Sequence, residues 1–433
     1  MGGMLDILRN AWKIPDLRRK ILFTVLMLLV FRIGSVIPVP GLDPEQLKAM
    51  AERGGNLLGF LDIVSGGAFK NATIFAMSIT PYINSSIIMQ LLTVAIPQLE
   101  QLQKEGEEGR KIIGQYIRYG TVVLGFLQAI GFYYLLGDAV IGNKGFLTAS
   151  FWTITITFTA GTAFLMWLGE QITEFGIGNG ISLLIFAGIL SRGPAGATAL
   201  LNYYNSGVGL FSNKIIGALV LILIVVIFII IIAAVIWVQQ AERRIPVQYA
   251  KRVVGRKMYG GQSTHVPIKV NLAGVIPIIF AMSIMAFPAT IVQLFFPNSQ
   301  NFFVNWIVNS QGSFGYAVVN ALLVMFFTFF YTVIVFNPIE LANNMKKNGG
   351  FIPGIRPGKP TSDYISKVLN RITWFGGLFL AAITVFPSLL NFTGIKNVWF
   401  GGTAVLILVG VALDTVKQME SQMLMRHYKG FLE

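Results

Sequence analysis

SITPYINSS, residues 78–86, sets Pro81 inside an apolar run, and GVIPIIFA, residues 274–281, does the same with Pro277. Proline has no N–H to give and its ring fixes φ, so a helix interior accepts it only where other groups meet the freed backbone. In a membrane those groups belong to neighbouring helices or line a cavity. Gly- or Pro-interrupted segments at corresponding places in two halves of a chain mark an internal repeat with the functional path between the halves.

Working outward, apolar runs recur along the whole chain, at about 21–37, 73–96, 119–136, 151–168, 179–191, 215–238, 272–295, 315–336, 372–390 and 399–416. At ~1.5 Å per helical residue most are long enough for a ~30 Å hydrocarbon layer. Pro81 falls in the second run and Pro277 in the seventh, an offset of five. The fifth and tenth runs are short, again five apart. The expected fold is therefore an all-α polytopic membrane protein of ten transmembrane helices in two pseudosymmetric five-helix halves, an inverted repeat.

Composition agrees. Of 433 residues 54% are hydrophobic and 12% charged, with mean hydropathy +0.68, far from the balance of a soluble domain. The first apolar run is followed by Arg32 and IPVP rather than a small-residue cleavage site, so it is expected to be a retained span and not a secretory signal. Of 33 Lys and Arg, 25 fall in segments that lie on one side if both termini are cytoplasmic, which the retention of basic loops inside the cell requires. The loop between the fourth and fifth runs, with Glu170 and Glu174 and no basic residue, is the one inner loop that departs from this bias.

Several function classes are disfavoured. Ion-coupled transporters keep Asp, Glu or His within the membrane, whereas Arg32, Glu170 and Asp414 lie near span ends and His265 and His427 in aqueous segments. GIGNG, 176–180, lacks the Lys-Ser/Thr of a phosphate loop and is read as a helix terminus entering a span. There is no cysteine, no metal-ligand cluster and no nucleophile paired with a base, so no catalytic residue, metal or cofactor is expected.

Two basic loops exceed what topology needs. Loop 239–271 holds Arg243, Arg244, Lys251, Arg252, Arg256 and Lys257, and its RIPVQYAK and THVPIKVN flank Gly260-Gly261 like two strands about a turn. Loop 337–371 contains GGFIPGIRPGKPT, 349–361, where three Pro and four Gly shape a segment carrying Arg356 and Lys359. Such projections suit docking of something large and acidic, nucleic acid or protein. NLLGFLDIVSGGAF, 56–69, is too short to cross and reads as a re-entrant half-helix. Ile79 and Ile83, and Ile181 and Ile185, are each four apart and share a helix face.

FRIGSVIPVPG (31–41), LLGFLDIVSGGA (57–68), PYINSSIIMQLL (81–92), KEGEEGRKIIGQYIRYGT (104–121), MWLGEQITEFGIGNGISLLIFAGI (166–189), QSTHVPIKVNLAGVIPIIF (262–280), VFNPIELANNMKKNGGFIPGIRPG (335–358) and FGGTAVLILV (400–409) together resemble the bacterial SecY family, the channel subunits of the Sec protein translocon. The resemblance runs in order over nearly the whole chain. It implies an hourglass pore between the halves, constricted by Ile79, Ile83, Ile181, Ile185, Ile279 and Ile407. The 56–67 segment would be a plug, with Leu57, Leu58, Phe60, Leu61, Ile63 and Val64 as its apolar face. Helices 2 and 3 against 7 and 8 would form a lateral gate with Gln90 and Asn271 as polar candidates. Ser78 stands where the family often has Gly, which puts local packing in question.

The implied activity is conduction of secretory polypeptides across the bacterial plasma membrane and lateral release of membrane segments. The drive would come from the SecA motor ATPase or the translating ribosome, through ribosomal RNA and proteins, docked on the basic loops. SecE and SecG would be partner subunits, signal-bearing polypeptides the substrates and anionic lipids the surroundings. The chain divides accordingly into a cytoplasmic segment 1–20, helices one to five over 21–191, an external hinge loop 192–214, helices six to ten over 215–416, and a cytoplasmic tail 417–433. The alternatives are a small-solute secondary transporter and a membrane insertase or scaffold without a pore.

Overall fold

The computed structural model describes residues 4–47, 68–69, 71–141, 145, 148–206, 214–249, 252–254, 257–259, 263–295, 314–392 and 402–429. Its helices are α1 (Met4–Lys13), α2 (Pro15–Gly34), α3 (Thr80–Ala95), α4 (Pro97–Lys104), α5 (Glu107–Leu135), α6 (Ala149–Phe175) and α7 (Gly180–Ser191). There follow α8 (Gly193–Ser206), α9 (Lys214–Gln240), α10 (Ile276–Phe295), α11 (Phe314–Val335), α12 (Pro338–Lys347), α13 (Lys359–Phe392) and α14 (Gly402–Lys429). All ten apolar runs are helical over at least part of their length. Among the described residues six helices are long and apolar enough to cross a membrane, seven if the pair α3 and α4, bent by 102°, is one span. The architecture is an all-α polytopic membrane fold.

Both organising prolines stand at helix starts rather than inside helices, which corrects the expectation. Residues 71–79 are turns with an isolated bridge from Thr73 to Pro38, and Pro81 is the second residue of α3. Residues 270–275 are turns and bends, and Pro277 is the second residue of α10. First-turn N–H groups have no intrahelical acceptor, so the missing donor costs nothing there and the fixed φ suits the helix. The two sites still correspond, as spans whose helix begins at a proline.

The expected shortness of the fifth and tenth spans is not a property of the folded chain. Helix resumes as α8 one residue after α7, so Gly180–Asn202 forms 23 residues of apolar helix, and α14 runs for 28 residues. The stretch 192–214, expected as a loop, thus contains α8.

The helices pack in two groups. α3, α5 and α6 pack in sequence with α2 against α6, while α10, α11 and α13 pack together with α14 against α9 and α13. α14 also touches α7, and α10 touches α3 and α5, so these contacts close the two groups on each other. α1 docks at one end, where Ala11 and Leu17 bury with Ile177 and Met419.

Beyond α9 lies a small sheet. β1 (Glu242–Tyr249) pairs antiparallel with β4 (Ser263–Lys269), with Arg244 opposite Pro267, and between them β2 (Arg252–Val254) pairs with β3 (Lys257–Tyr259). The strands read from the sequence are present. Unexpectedly, β5 (Gly350–Phe351) adds to the other edge of β1, with Phe351 opposite Gln248. Ile245, Val247 and Ile268 then bury against Met345, Ile352, Ile365 and Leu369, so both basic loops share one apolar core.

Candidate functional site

Five of the six isoleucines singled out in the sequence meet. Ile79 precedes α3 and Ile83 lies one turn on, its N–H donating to the Ile79 carbonyl at 3.1 Å. These two join Ile181 and Ile185 of α7 and Ile407 of α14 in one apolar cluster, with Ile79, Ile185 and Ile407 buried and Ile83 and Ile181 half-buried. Ile279, half-buried on α10, is not among the residues of that cluster, where the nearest to α10 is Val275, just before its first turn. Periodicity within each helix could pair 79 with 83 and 181 with 185. Only packing could bring in residue 407.

Ile83 also belongs to a second cluster. There it stands with Ile87 and Leu91 of α3 against Ile278, Phe280 and Ala281 of α10, Val324 and Phe327 of α11, and Leu406 of α14. The Phe280 ring meets Phe327 edge-on at 5.6 Å. Apolar contacts thus join α3 to α10 across this seam. Gln90 and Asn271 do not bond to each other. The Gln90 amide donates to Ser86 Oγ at 3.4 Å, and Asn271 Nδ2 donates to the Gly274 carbonyl at 3.1 Å.

The loop joining α6 to α7 is built as a helix terminus, as its glycines suggested. Gly176 caps α6, and Asn179 caps α7 by accepting from the Ser182 N–H at 3.1 Å. Thr173 Oγ1 accepts from the Gly180 N–H at 2.9 Å. Gly180 is required by close approach, since a Cβ there would collide with the Gly169 carbonyl. The acidic character of this end also finds its reason: Arg118 Nε of α5 donates to Glu170 Oε1 at 2.8 Å.

On the sheet, Arg243 and Arg244 are exposed, and Arg244 Nε donates to Glu242 Oε1 at 2.7 Å. Arg252 and Lys257 lie in β2 and β3. Arg356 and Lys359 are exposed beside this sheet, because β5 anchors their loop to β1. The loop tip is pinned by the buried Thr361, whose hydroxyl donates to the Arg356 carbonyl at 2.9 Å, and Gly358 takes φ +104° there. A two-residue strand has no periodicity to detect, so β5 was not visible in the sequence. The plug residues Leu57, Leu58, Phe60, Leu61, Ile63 and Val64, and Lys251 and Arg256, lie outside the described residues. Among the described residues no three His, Asp or Glu stand together as metal ligands.

Comparison with known proteins follows the same lines. The model of the SecY family matches residues 73–416. The protein translocase subunit SecY of Halalkalibacterium halodurans is 48% identical over 443 residues, covering 99% of this chain and 100% of that protein. A solved protein conducting channel superposes with TM-score 0.65 at 18% identity over 94% of this chain and 92% of its own. Sec61 in the canine ribosome-channel complex from the endoplasmic reticulum gives 0.61 at 17%, over 94% and 92%.

Proposed function

This chain belongs to the SecY family of protein translocase subunits, and we propose that its isoleucine cluster is the constriction of the channel and the α3–α10 seam its lateral gate. It is a protein-conducting channel subunit and a multi-pass membrane protein, not an enzyme. The transporter and scaffold alternatives are not favoured.

Ile83 carries this reading, because one side chain belongs both to the isoleucine cluster and to the seam. Flexible apolar side chains offer an ion no fixed partner, so their cluster can seal when empty and yield to a polypeptide of any sequence. Lipid tails are as apolar as Leu, so exposing an apolar seam to lipid forfeits packing but no hydrophobic burial. A hydrophobic segment at the seam gains about 25 cal/mol per Å² of apolar surface removed from water. Lateral release then needs no energy source within this chain.

Ten spans in two related halves, a plug at 56–67 and Ile279 completing the constriction belong to the same reading, as do Gln90 and Asn271 near the gate. Both termini are cytoplasmic in a bacterial plasma membrane, supported by the basic residues concentrated in segment 1–20, the sheet and loop 337–371. SecE and SecG are the partner subunits. SecA or the ribosome docks on Arg243, Arg244, Lys251, Arg252, Arg256, Lys257, Arg356 and Lys359. Guanidinium forks can pair with carboxylates on one and phosphates on the other. The ribosome-bound state of the canine neighbour supports the second partner, and anionic lipid suits the same charges.

The test is protease protection of a signal-bearing precursor added to liposomes holding this chain with SecE and SecG, plus SecA and ATP. ATP-dependent protection that is lost in Arg356→Glu is expected. Protection that persists in the variant would move the docking site elsewhere, and no protection with either, beside a working translocon, would refute the channel.

A further inference from the structure

Where α9 ends, α10 begins and α14 turns polar, a cleft of about 110 Å³ is lined by Gln239, Lys269, Asn271, Gly274, Asp414 and Lys417 among others. At ~30 Å³ per water it has room for a few small polar groups. It is well below the ~300–1,000 Å³ of sites for drug-sized ligands, so a nucleotide is too large.

Asn271 is 7% exposed. Its Nδ2 is used on the Gly274 carbonyl, which orients the amide and leaves Oδ1 buried with no hydrogen-bond partner. A buried acceptor without a donor is the costly half of a hydrogen bond, and a ligand N–H or O–H would complete it. Around it Lys269, Asp414 and Lys417 are exposed, and none of them is in a salt bridge among the described residues.

These groups ask for a ligand of mixed charge. A simple anion would meet the two lysines but would face Asp414 and leave Oδ1 unmet. A simple amine would meet Asp414 and Oδ1 but face the lysines. A phosphodiester carrying a primary ammonium satisfies all four: its oxygens pair with Lys269 and Lys417, and its N–H groups bond Asn271 Oδ1 and the Asp414 carboxylate.

Depth selects the source. Trp237, two residues before Gln239, is 74% exposed on α9, whose Ile222, Ile229 and Ile230 also face outward. Tryptophan exposed on an apolar helix beside its polar end marks the headgroup level. We propose that this cleft holds the phosphoethanolamine headgroup of one membrane phospholipid.

The test is native mass spectrometry of the full chain, purified with its partner subunits, against dioleoyl-phosphatidylethanolamine, -phosphatidylcholine and -phosphatidylglycerol. Phosphatidylcholine keeps the charges but has no N–H, so one phosphatidylethanolamine should be retained about tenfold more strongly, a difference of about 1.4 kcal/mol. Asn271→Leu should bring its retention down to the phosphatidylcholine level. Lys417→Gln, a change at an exposed position, should weaken both zwitterionic lipids and carries the test if Asn271→Leu does not fold. Equal retention of the two zwitterionic lipids, preference for phosphatidylglycerol, or indifference to Lys417→Gln would overturn the proposal. Free phosphoethanolamine at the lipid's concentration should leave the bound lipid in place, and its displacing the lipid would overturn the membrane source.

Discussion

The N–H of Ile177 donates to Thr24 Oγ1 at 3.1 Å, joining the loop between α6 and α7 to a helix 153 positions away. Both residues are buried, and the same hydroxyl donates to the Lys20 carbonyl at 2.9 Å. Thr24→Val keeps the shape and strands the Ile177 N–H, so it should lower stability by about 1–3 kcal/mol, whereas Thr24→Ser should restore most of it. Thermal unfolding of the purified variants checks this. Equal midpoints for Val and Ser would mean that the bond contributes nothing.

Ser78 takes φ +55° immediately before Ile79. The left-handed region is tolerated by Ser at some cost and is poor for β-branched residues. Ser78→Gly should therefore stay within about 1 kcal/mol of the parent chain, and Ser78→Val should lose about 1–3 kcal/mol. If Val is as well tolerated as Gly in the same unfolding assay, the backbone at 78 is not strained.

Gly180→Ala should be among the most damaging single-methyl additions in the chain. The new Cβ meets the Gly169 carbonyl, a backbone atom that cannot swing aside. Overpacking of this kind costs typically about 1–3 kcal/mol, and here α6 and α7 must also separate. Gly114→Ala, where a Cβ meets nothing within 4 Å, is the control and should be neutral. The comparison is read from yield and unfolding midpoint.

Serine at Ile83, Ile185 and Ile407 together should raise the resting ion conductance of the reconstituted channel severalfold. Hydroxyls give ions and water partners that isoleucine lacks. Planar-bilayer recording decides it. An unchanged current would place the seal away from this cluster.

Thr361→Val removes the donor to the Arg356 carbonyl and should cost about 1 kcal/mol of local stability. Its larger effect should be functional: with the tip unpinned, SecA-dependent protection should fall while membrane insertion of the channel itself stays normal. Protection equal to that of the parent chain would mean that the loop's rigidity is not used.

Much of this protein was legible in its sequence. The apolar runs, the basic loops, the hairpin strands and the correspondence of Pro81 with Pro277 all arise from local composition and spacing, which report what each segment can do by itself. Local signals also misled. A proline within an apolar run cannot be told from a proline at a helix start when the residues before it, such as 74–77, are apolar too.

Tertiary structure decided the rest, because in lipid hydrophobicity does not distinguish inside from outside. α9 is the most apolar of the six candidate spans and the least buried, with only 6% of its apolar window inside the protein. The meeting of Ile79 with Ile185 and Ile407, the joining of both basic loops through Phe351 and Gln248, and the unpartnered Oδ1 of Asn271 all depend on which faces pack. Composition and spacing determined that this chain crosses a membrane and presents basic loops. Packing between residues far apart in the chain determined where the isoleucines converge and what the loops stand on.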